Sequence, residues 1–492
     1  LPTSSPKSVV GVLSFCGIAV ALMQTLVVPL IPELPRLLDT TPASASWVIT
    51  ATLLTAAVCN PVSGRLGDMY GKRRMMIISL VMMIAGSLIC ALSSSLPVVV
   101  AGRALQGCSI GVIPLGISIM RDVLPPARLG PSMALMSATL GAGAGVGLPL
   151  SAFVAERADW HTLFWMAAGT GVLSLILVLT VVRESPVRAP GRFDFPGAVG
   201  LIAGLLCLLL AVSKGADWGW GSPLTLGLFG GAVVILPLWA WLELRVRAPL
   251  VDLRTSARRP VLLTNLASLL VGFAMFAMSL VLPQLLQAPT STGYGLGLSL
   301  LMTGLCMAPS GLVMMLLSPV SARVAARWGP KTALISGAAV LGVGYVVGVG
   351  LMAAPWQVVV TTTIVSSGLG LAYSAMPALI MSSVPPTETA AANGLNALMR
   401  AIGTASSSAV ISVLLSQMTI TTAAGPLPSF AGLRTALLLA AGAAFVGVLI
   451  AVFIPRGTRE RRFERDEPLP VPVPAPVAPA PVDAPIGDPK AR

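Results

Sequence analysis

The sequence predicts an all-α integral membrane protein of 14 transmembrane helices, built as two parallel six-helix halves plus two extra central helices. Three observations predict it. Hydrophobic residues make up 55% of the 492 residues and charged residues 10%, against roughly 25% charged in average soluble domains. Apolar runs of about 20 residues, the length a helix needs to cross a bilayer, recur along most of the chain. Finally, short segments of the first half are echoed in the second, in order and in the same direction.

This composition excludes an ordinary soluble enzyme and a disordered regulator. A nucleic-acid binder is also excluded despite the net charge of +13, because a basic surface on so apolar a chain is explained by membrane orientation. One histidine and 18 acidic residues leave little to cluster, so neither enzyme chemistry, a cofactor nor a metal site is expected. Cys16, Cys59, Cys90, Cys108, Cys207 and Cys306 all lie in apolar runs without a CxxC pair. They read as packing residues.

Taken in order, the apolar runs cover 8–31, 44–64, 75–95, 97–120, 130–154, 162–182, 196–213, 222–242, 261–286, 297–320, 332–353, 356–382, 391–416 and 431–454. The first is too long for the apolar core of a cleaved signal peptide. These runs divide the chain into an N-terminal six-helix half (1–190), two linker helices (191–255), a C-terminal six-helix half (256–455) and a tail (456–492). In the tail, 468–481 alternates Pro with Val and Ala. Such a segment favours polyproline II and cannot build a core, so it reads as disordered.

Lys and Arg orient the bundle. With the N-terminus in the cytoplasm, the cytoplasmic side before the tail holds 18 basic residues and the outer side Arg36, Arg157, Lys214 and Arg434. An even number of spans returns the tail to the cytoplasm. Most of the net charge is therefore topology.

The repeat joins each helix to the one eight further on. Ser63, Arg65, Tyr70, Gly71 and Arg73, after the second run, meet Ser321, Arg323, Trp328, Gly329 and Lys331 after the tenth. Ala134-Leu135-Met136 matches Ala397-Leu398-Met399, and Gly107 to Pro114 has the spacing of Gly370 to Pro377. Parallel halves around a central site are a transporter architecture.

The loop Gly64-Arg65-Leu66-Gly67-Asp68-Met69-Tyr70-Gly71-Lys72-Arg73-Arg74 resembles the signature loop of the major facilitator superfamily, and sits where that family has it. Arg103-Ala104-Leu105-Gln106-Gly107 resembles a second family motif. Gly141, Gly143, Gly145, Gly147 and Pro149 resemble the antiporter motif. Fourteen helices point to the 14-helix drug:proton antiporter branch. The resemblance implies a secondary transporter of the bacterial cytoplasmic membrane, with both termini cytoplasmic. It would export amphipathic small molecules such as drugs or antibiotics in exchange for protons, with the lipid bilayer as its other partner and a monomer as its working form.

The resemblance also implies roles. Asp68 would pair with Lys72, Arg73 or Arg74 and face the start of the thirteenth helix at Thr389–Ala392, where the helix dipole attracts an anion. Gly64 and Gly71 would allow the close turn, and Asp122 would share the network. The bland alternative is a topogenic basic loop. Arg103, read as a mid-membrane charge, should face a cavity or a partner. It is either the fixed positive charge of proton transfer or a brace on backbone carbonyls, and Arg400 invites the same two readings. Gly143 and Gly147 form a small-xxx-small pair, and Pro149 would bend the helix. These residues make a pliant seam between halves, ordinary tight packing, or both at once.

The pattern departs from the branch at its expected first-helix Asp, where Met23 stands, and at Leu148, inserted between Gly147 and Pro149. No Asp or Glu lies deep in any apolar run. Glu33, after prolines at 29 and 32, would turn inward as a proton carrier, or remain an interfacial carboxylate paired with Arg36. Glu156, Asp159 and His161 form a second candidate cluster, or merely cap the sixth helix. His is the side chain that ordinarily changes charge near neutral pH. The cavity should be largely apolar, with Met23, Phe273 and Phe276 as walls and Gln24, Gln106, Gln284, Asn396 and Arg400 as polar contacts. Met-rich surfaces suit varied ligands, although Met on a membrane helix is often only packing. Two competing functions remain at this point: uncoupled or differently coupled movement of a metabolite or lipid, and a non-transporting membrane scaffold.

Overall fold

The computed structural model describes residues 5–30, 33–189, 191–246, 249–422 and 425–455. The expected disordered tail, 456–492, lies outside the described residues, as does the side chain of Glu156. Among the described residues, fourteen helices are long and apolar enough to cross a membrane. They are α1 (Pro6–Thr25), α2 (Trp47–Tyr70), α3 (Lys72–Ala91), α4 (Leu96–Val123), α5 (Pro126–Arg157), α6 (His161–Val181) and α7 (Phe195–Trp218). The series continues with α8 (Pro223–Glu243), α9 (Arg259–Gln287), α10 (Leu300–Trp328), α11 (Pro330–Gly350), α12 (Pro355–Met381), α13 (Thr389–Gln417) and α14 (Phe430–Val452).

Local chemistry sets the ends. Ser5, Ser222, Ser299 and Ser429 accept N–H bonds at the starts of α1, α8, α10 and α14, satisfying donors that no intrahelical carbonyl reaches. Proline opens many of the helices, where its missing N–H costs nothing. Helix α4 passes through a 3-10 turn at Cys108–Gly111, and α10 is interrupted at Leu317. One element was not expected from sequence. Thr419–Thr422 (β1) pairs antiparallel with Gly425–Pro428 (β2) between α13 and α14, and Tyr294 donates its hydroxyl to the Pro428 carbonyl.

The two sets of six helices pack by the same rule. Helix α1 lies on α5 and α6 as α9 lies on α13 and α14. Helices α2 and α4 pair as α10 and α12 do, and α3 meets α4 and α6 as α11 meets α12 and α14. Even a terminal contact repeats: Arg73 donates to the Leu179 carbonyl at 2.9 Å, and Lys331 to the Val452 carbonyl at 2.7 Å. Gly71 and Gly329, which precede α3 and α11, both have positive φ (118° and 84°), a region open to glycine. Each half has its own main apolar core, one chiefly from Val9 to Val182 and the other from Ala267 to Ile454, while a smaller third core joins α2, α7 and α13.

The halves meet along two principal seams, α2 against α13 and α5 against α10. The linker helices α7 and α8 are central only in sequence. Helix α7 packs on the flank of α2 and α13, while α8 pairs with α7 and has just 11% of its apolar window buried. So exposed an apolar helix is suited to lipid.

Candidate functional site

The seams set out what can move. At the end of the bundle that carries Lys72 and Arg73, here the basic end, a Cβ on Gly64 would strike the Ala390 carbonyl, and one on Gly394 the Asn60 carbonyl. The α2 and α13 backbones are therefore in direct contact. The other seam lies nearer the far end. A Cβ on Gly145 would come within 2.8 Å of the Gly311 α-carbon, and one on Gly141 would meet Met314. Gly143 and Gly147 instead abut Ala21 and Thr25 of α1, and Thr25 Oγ1 donates to the Gly143 carbonyl at 3.2 Å. This corrects the expected seam. Positions four apart share a helix face and positions two apart do not, so the small-xxx-small pair tightens one half while Gly141 and Gly145 join the two. Pro149 lies at the same junction, beside Gly304 of α10.

Asp68 sits on the α2/α13 seam with 1% of its surface exposed. Its carboxylate accepts the N–H groups of Ala390 (3.3 Å) and Ala391 (2.9 Å), in the first turn of α13. Four such donors lack intrahelical partners, so a carboxylate there is doubly favoured by hydrogen bonding and by the dipole. Lys72 Nζ lies 3.6 Å from Asp68 Oδ1 and 2.5 Å from Asp122 Oδ2. It also donates to Thr389 Oγ1 at 3.4 Å. Lys72 is wholly buried, which a lysine tolerates only when paired. Ser185 Oγ completes Asp122 at 2.5 Å.

Arg73 and Arg74 contribute differently from Lys72. Their backbone N–H groups are capped by the Glu184 carboxylate at 3.0 and 3.2 Å, and the Arg73 side chain turns to the Leu179 carbonyl, which leaves Asp68 to Lys72. Sequence reading misses Glu184 and Ser185 because they lie beyond α6, 110 or more residues from Arg73 and Arg74 and 63 from Asp122. In the second half, Ala326 occupies the position equivalent to Asp68, so the carboxylate contact is made by one half only.

Arg103 lies toward the far end of α4. It bonds the Val48 carbonyl in the first turn of α2 (Nε, 3.1 Å) and the Met23 carbonyl near the end of α1 (Nη1, 3.5 Å). That places it in the far third of the bundle. Its strongest partner is Gln106 Oε1 at 2.7 Å, and Gln106 in turn donates to Ser87 Oγ at 2.7 Å. All of these partners are neutral, and Arg103 and Gln106 are 2% and 0% exposed. Met23, also buried, offers its sulfur to the same guanidinium at 3.7 Å. Met23 and Gln106 therefore serve this internal brace and do not line an open cavity.

Arg400, near the middle of α13, is the deeper charge. It donates to Asn396 Oδ1 at 2.6 Å and lies 5.2 Å from the Tyr373 ring centroid. Asn396 donates to Asn265 Oδ1 (2.9 Å) and Ser268 Oγ (2.7 Å). Tyr373, missed by sequence reading, donates to Met275 Sδ at 3.2 Å. Phe273 and Phe276 are half-buried on the same helix α9, and Gln24 is half-buried on α1, whereas Gln284 is exposed near the far end of α9. The Arg400 cluster gathers a cation, the Asn396 amide and the Tyr373 ring.

The proposed proton carriers are separate. Glu33 points outward and pairs with Arg36 at 2.9 Å, with side chains 53% and 82% exposed. The inward turn expected from the neighbouring prolines is not adopted. His161 Nδ1 bonds Asp159, its Nε2 lies 3.1 Å from Ser94 Oγ, and Asp159 accepts the His161 N–H at 2.7 Å. Those bonds hold the Asp159 carboxyl below the usual range and are the geometry of a helix-start cap.

Comparison with known proteins agrees with the architecture. The Major Facilitator Superfamily profile matches residues 13–408 and 267–487. The chain is 24% identical to Multidrug resistance protein 3 of Bacillus subtilis, over 73% of this chain and 70% of that one. It is 27% identical to the Tetracenomycin C resistance and export protein of Streptomyces glaucescens, over 80% and 73%. In fold it resembles the human organic anion transporter MFSD10 (TETRAN), with a TM-score of 0.66 and 17% identity across 91% of this chain and 99% of that one. The chain, a multi-pass membrane protein, belongs to the Major Facilitator Superfamily of transporters.

Proposed function

We propose that this transporter exports amphipathic drugs or antibiotics by proton antiport with alternating access, from the bacterial cytoplasmic membrane. The positive-inside pattern places the basic end in the cytoplasm. The observation that carries the reading is the Asp68 contact. A carboxylate of one half holds the helix start of the other, through bonds that break whole when the halves separate. With Ala390 and Ala391 bound, the cytoplasmic entrance is shut. Separate main cores let each half rock as a body, and the glycine seam of α5 and α10 supplies the surface about which they tilt. Relatives named for multidrug resistance and for tetracenomycin C export support an amphipathic cargo. The Arg400, Asn396 and Tyr373 cluster is the proposed polar contact for it.

The test is reconstitution in liposomes with an imposed pH gradient, following efflux of a fluorescent amphiphile. Gradient-driven efflux that D68N slows is the expected result. Efflux indifferent to the gradient would leave uncoupled transport, and no movement of any amphiphile would remove drug export.

A further inference from the structure

Helices α7 and α8 meet at the basic end through two carboxyl groups that the gate does not use. Asp194 caps α7, its Oδ1 accepting the Gly197 N–H at 2.8 Å. Glu243 ends α8, and its Oε1 accepts the Val251 N–H at 2.8 Å. Among the described residues, the second oxygens, Asp194 Oδ2 and Glu243 Oε2, have no donor. Both converge on one point, since a Cβ on Gly197 would strike the two together, which brings the carboxyls face to face. The residues are 8% and 2% exposed.

Among the described residues, nearby charges are directed elsewhere. The Arg245 guanidinium lies 3.8 Å from the Trp241 ring centroid, and Arg254 donates to the Leu244 carbonyl at 2.7 Å. Asp252 caps the following turn, accepting from Arg254 N and Thr255 N, and Arg192 is exposed. From α2 and the approach to α13, Arg65 and Glu388 line a cavity of about 270 Å³. Leu250 and Val251, the residues Glu243 holds, form part of its wall. Two buried carboxylates facing each other repel, and each leaves an acceptor unsatisfied. One proton removes both penalties by turning an acceptor into a donor, and it then belongs to the pair.

We propose that Asp194 and Glu243 form a proton-binding site, in which one proton from the aqueous phase at the basic end is shared between Asp194 Oδ2 and Glu243 Oε2. The bound proton clasps the end of α8 and the 250–251 backbone to the start of α7. Its loss charges both carboxyls, parts them, and frees the cavity wall beside Ala391, a residue that binds Asp68. This site stands apart from the gate, from Glu33 and from His161, and holds whatever carries the proton of transport.

The test uses the full chain in lipid nanodiscs, comparing wild type with E243Q and D194N by infrared difference spectroscopy and thermal unfolding across pH. E243Q keeps a hydrogen bond, because its amide donates to Asp194, so it separates loss of the proton from loss of the fold. Wild type should show one buried protonated-carboxyl C=O band at neutral pH that disappears under alkaline conditions and is missing in E243Q. Because the folded pair holds a proton that the unfolded chain releases, wild-type stability should fall as pH rises, and E243Q should lack that slope. The same band and slope in both proteins would overturn the proposal. So would a slope that vanishes on adding sodium or magnesium salts, which would make the pair a cation site.

Discussion

The Asp68 contact permits a worked prediction. D68N preserves shape and leaves one acceptor facing Ala390 and Ala391, but it removes the charge. Hydrogen bonds to a charged group contribute about 1.5–3 kcal/mol and neutral ones about 0.5–1.5. Two bonds of 3.3 and 2.9 Å therefore lose roughly 2 kcal/mol between them. The larger penalty for stranding a buried cation does not apply, because Lys72 keeps Asp122 at 2.5 Å. Both bonds exist only while α2 and α13 touch, so the loss falls on one state and shifts the equilibrium roughly 30-fold toward an open basic end. Spin labels at the exposed positions Val123 and Ser382, on the α4 and α12 ends, report this directly. D68N should lengthen the mean distance, and D122N should act less if Lys72 turns fully to Asp68. An unchanged distance distribution in D68N would refute the latch.

Other substitutions separate roles that sequence alone leaves joined. G145A should impair transport while sparing thermal stability of the halves, whereas G143A, set against Ala21 and Leu22, should lower stability first; equal effects on both readouts would contradict the two-face assignment. R103M leaves the Gln106 side-chain oxygen without its donor and should destabilise by about 1–3 kcal/mol, with lost activity tracking lost folded protein. Full stability with abolished proton coupling would instead make Arg103 a coupling residue. Cys59 Sγ and Cys108 Sγ lie 3.0 Å apart, so a mild oxidant should cross-link them within one half without arresting the gate; arrested transport would show that α2 and α4 move relative to each other. For Asp159, a depressed carboxyl stabilises the fold above its unfolded value of about 3.9 and loses that contribution as pH falls through the folded one. D159N should therefore cost stability at neutral pH and little in strong acid, as thermal unfolding across pH will show.

Hydropathy made the spans legible, because twenty apolar residues have few other uses. The repeat around Ser63 and Ser321 pointed to paired halves, and the positions of Gly64, Asp68 and Lys72 pointed to the α2/α13 contact. What stayed hidden depends on distance along the chain. Glu184 reaches α3, Ser185 reaches Asp122, and Tyr373 comes under Arg400, each through packing that no local pattern encodes. The depth of Arg103 stayed hidden because a run of apolar residues does not say where its long side chain finds carbonyls. Asp194 and Glu243 look like ordinary interfacial acids at helix ends until the fold closes them off from water. The prolines near Glu33 suggested an inward turn, but the following turn is short enough for Arg36 to hold the carboxylate outside.

The central claim is that cargo and protons cross in opposite directions through one gated path. Proteoliposomes that trap a pH-sensitive dye measure both fluxes at once. With no gradient imposed, a fluorescent amphiphile is added outside and its entry is followed together with lumenal pH. The account predicts that cargo entry drives protons out and the lumen turns alkaline, in proportion to uptake and more slowly in D68N. Cargo entry at the full rate with no change in lumenal pH would contradict it.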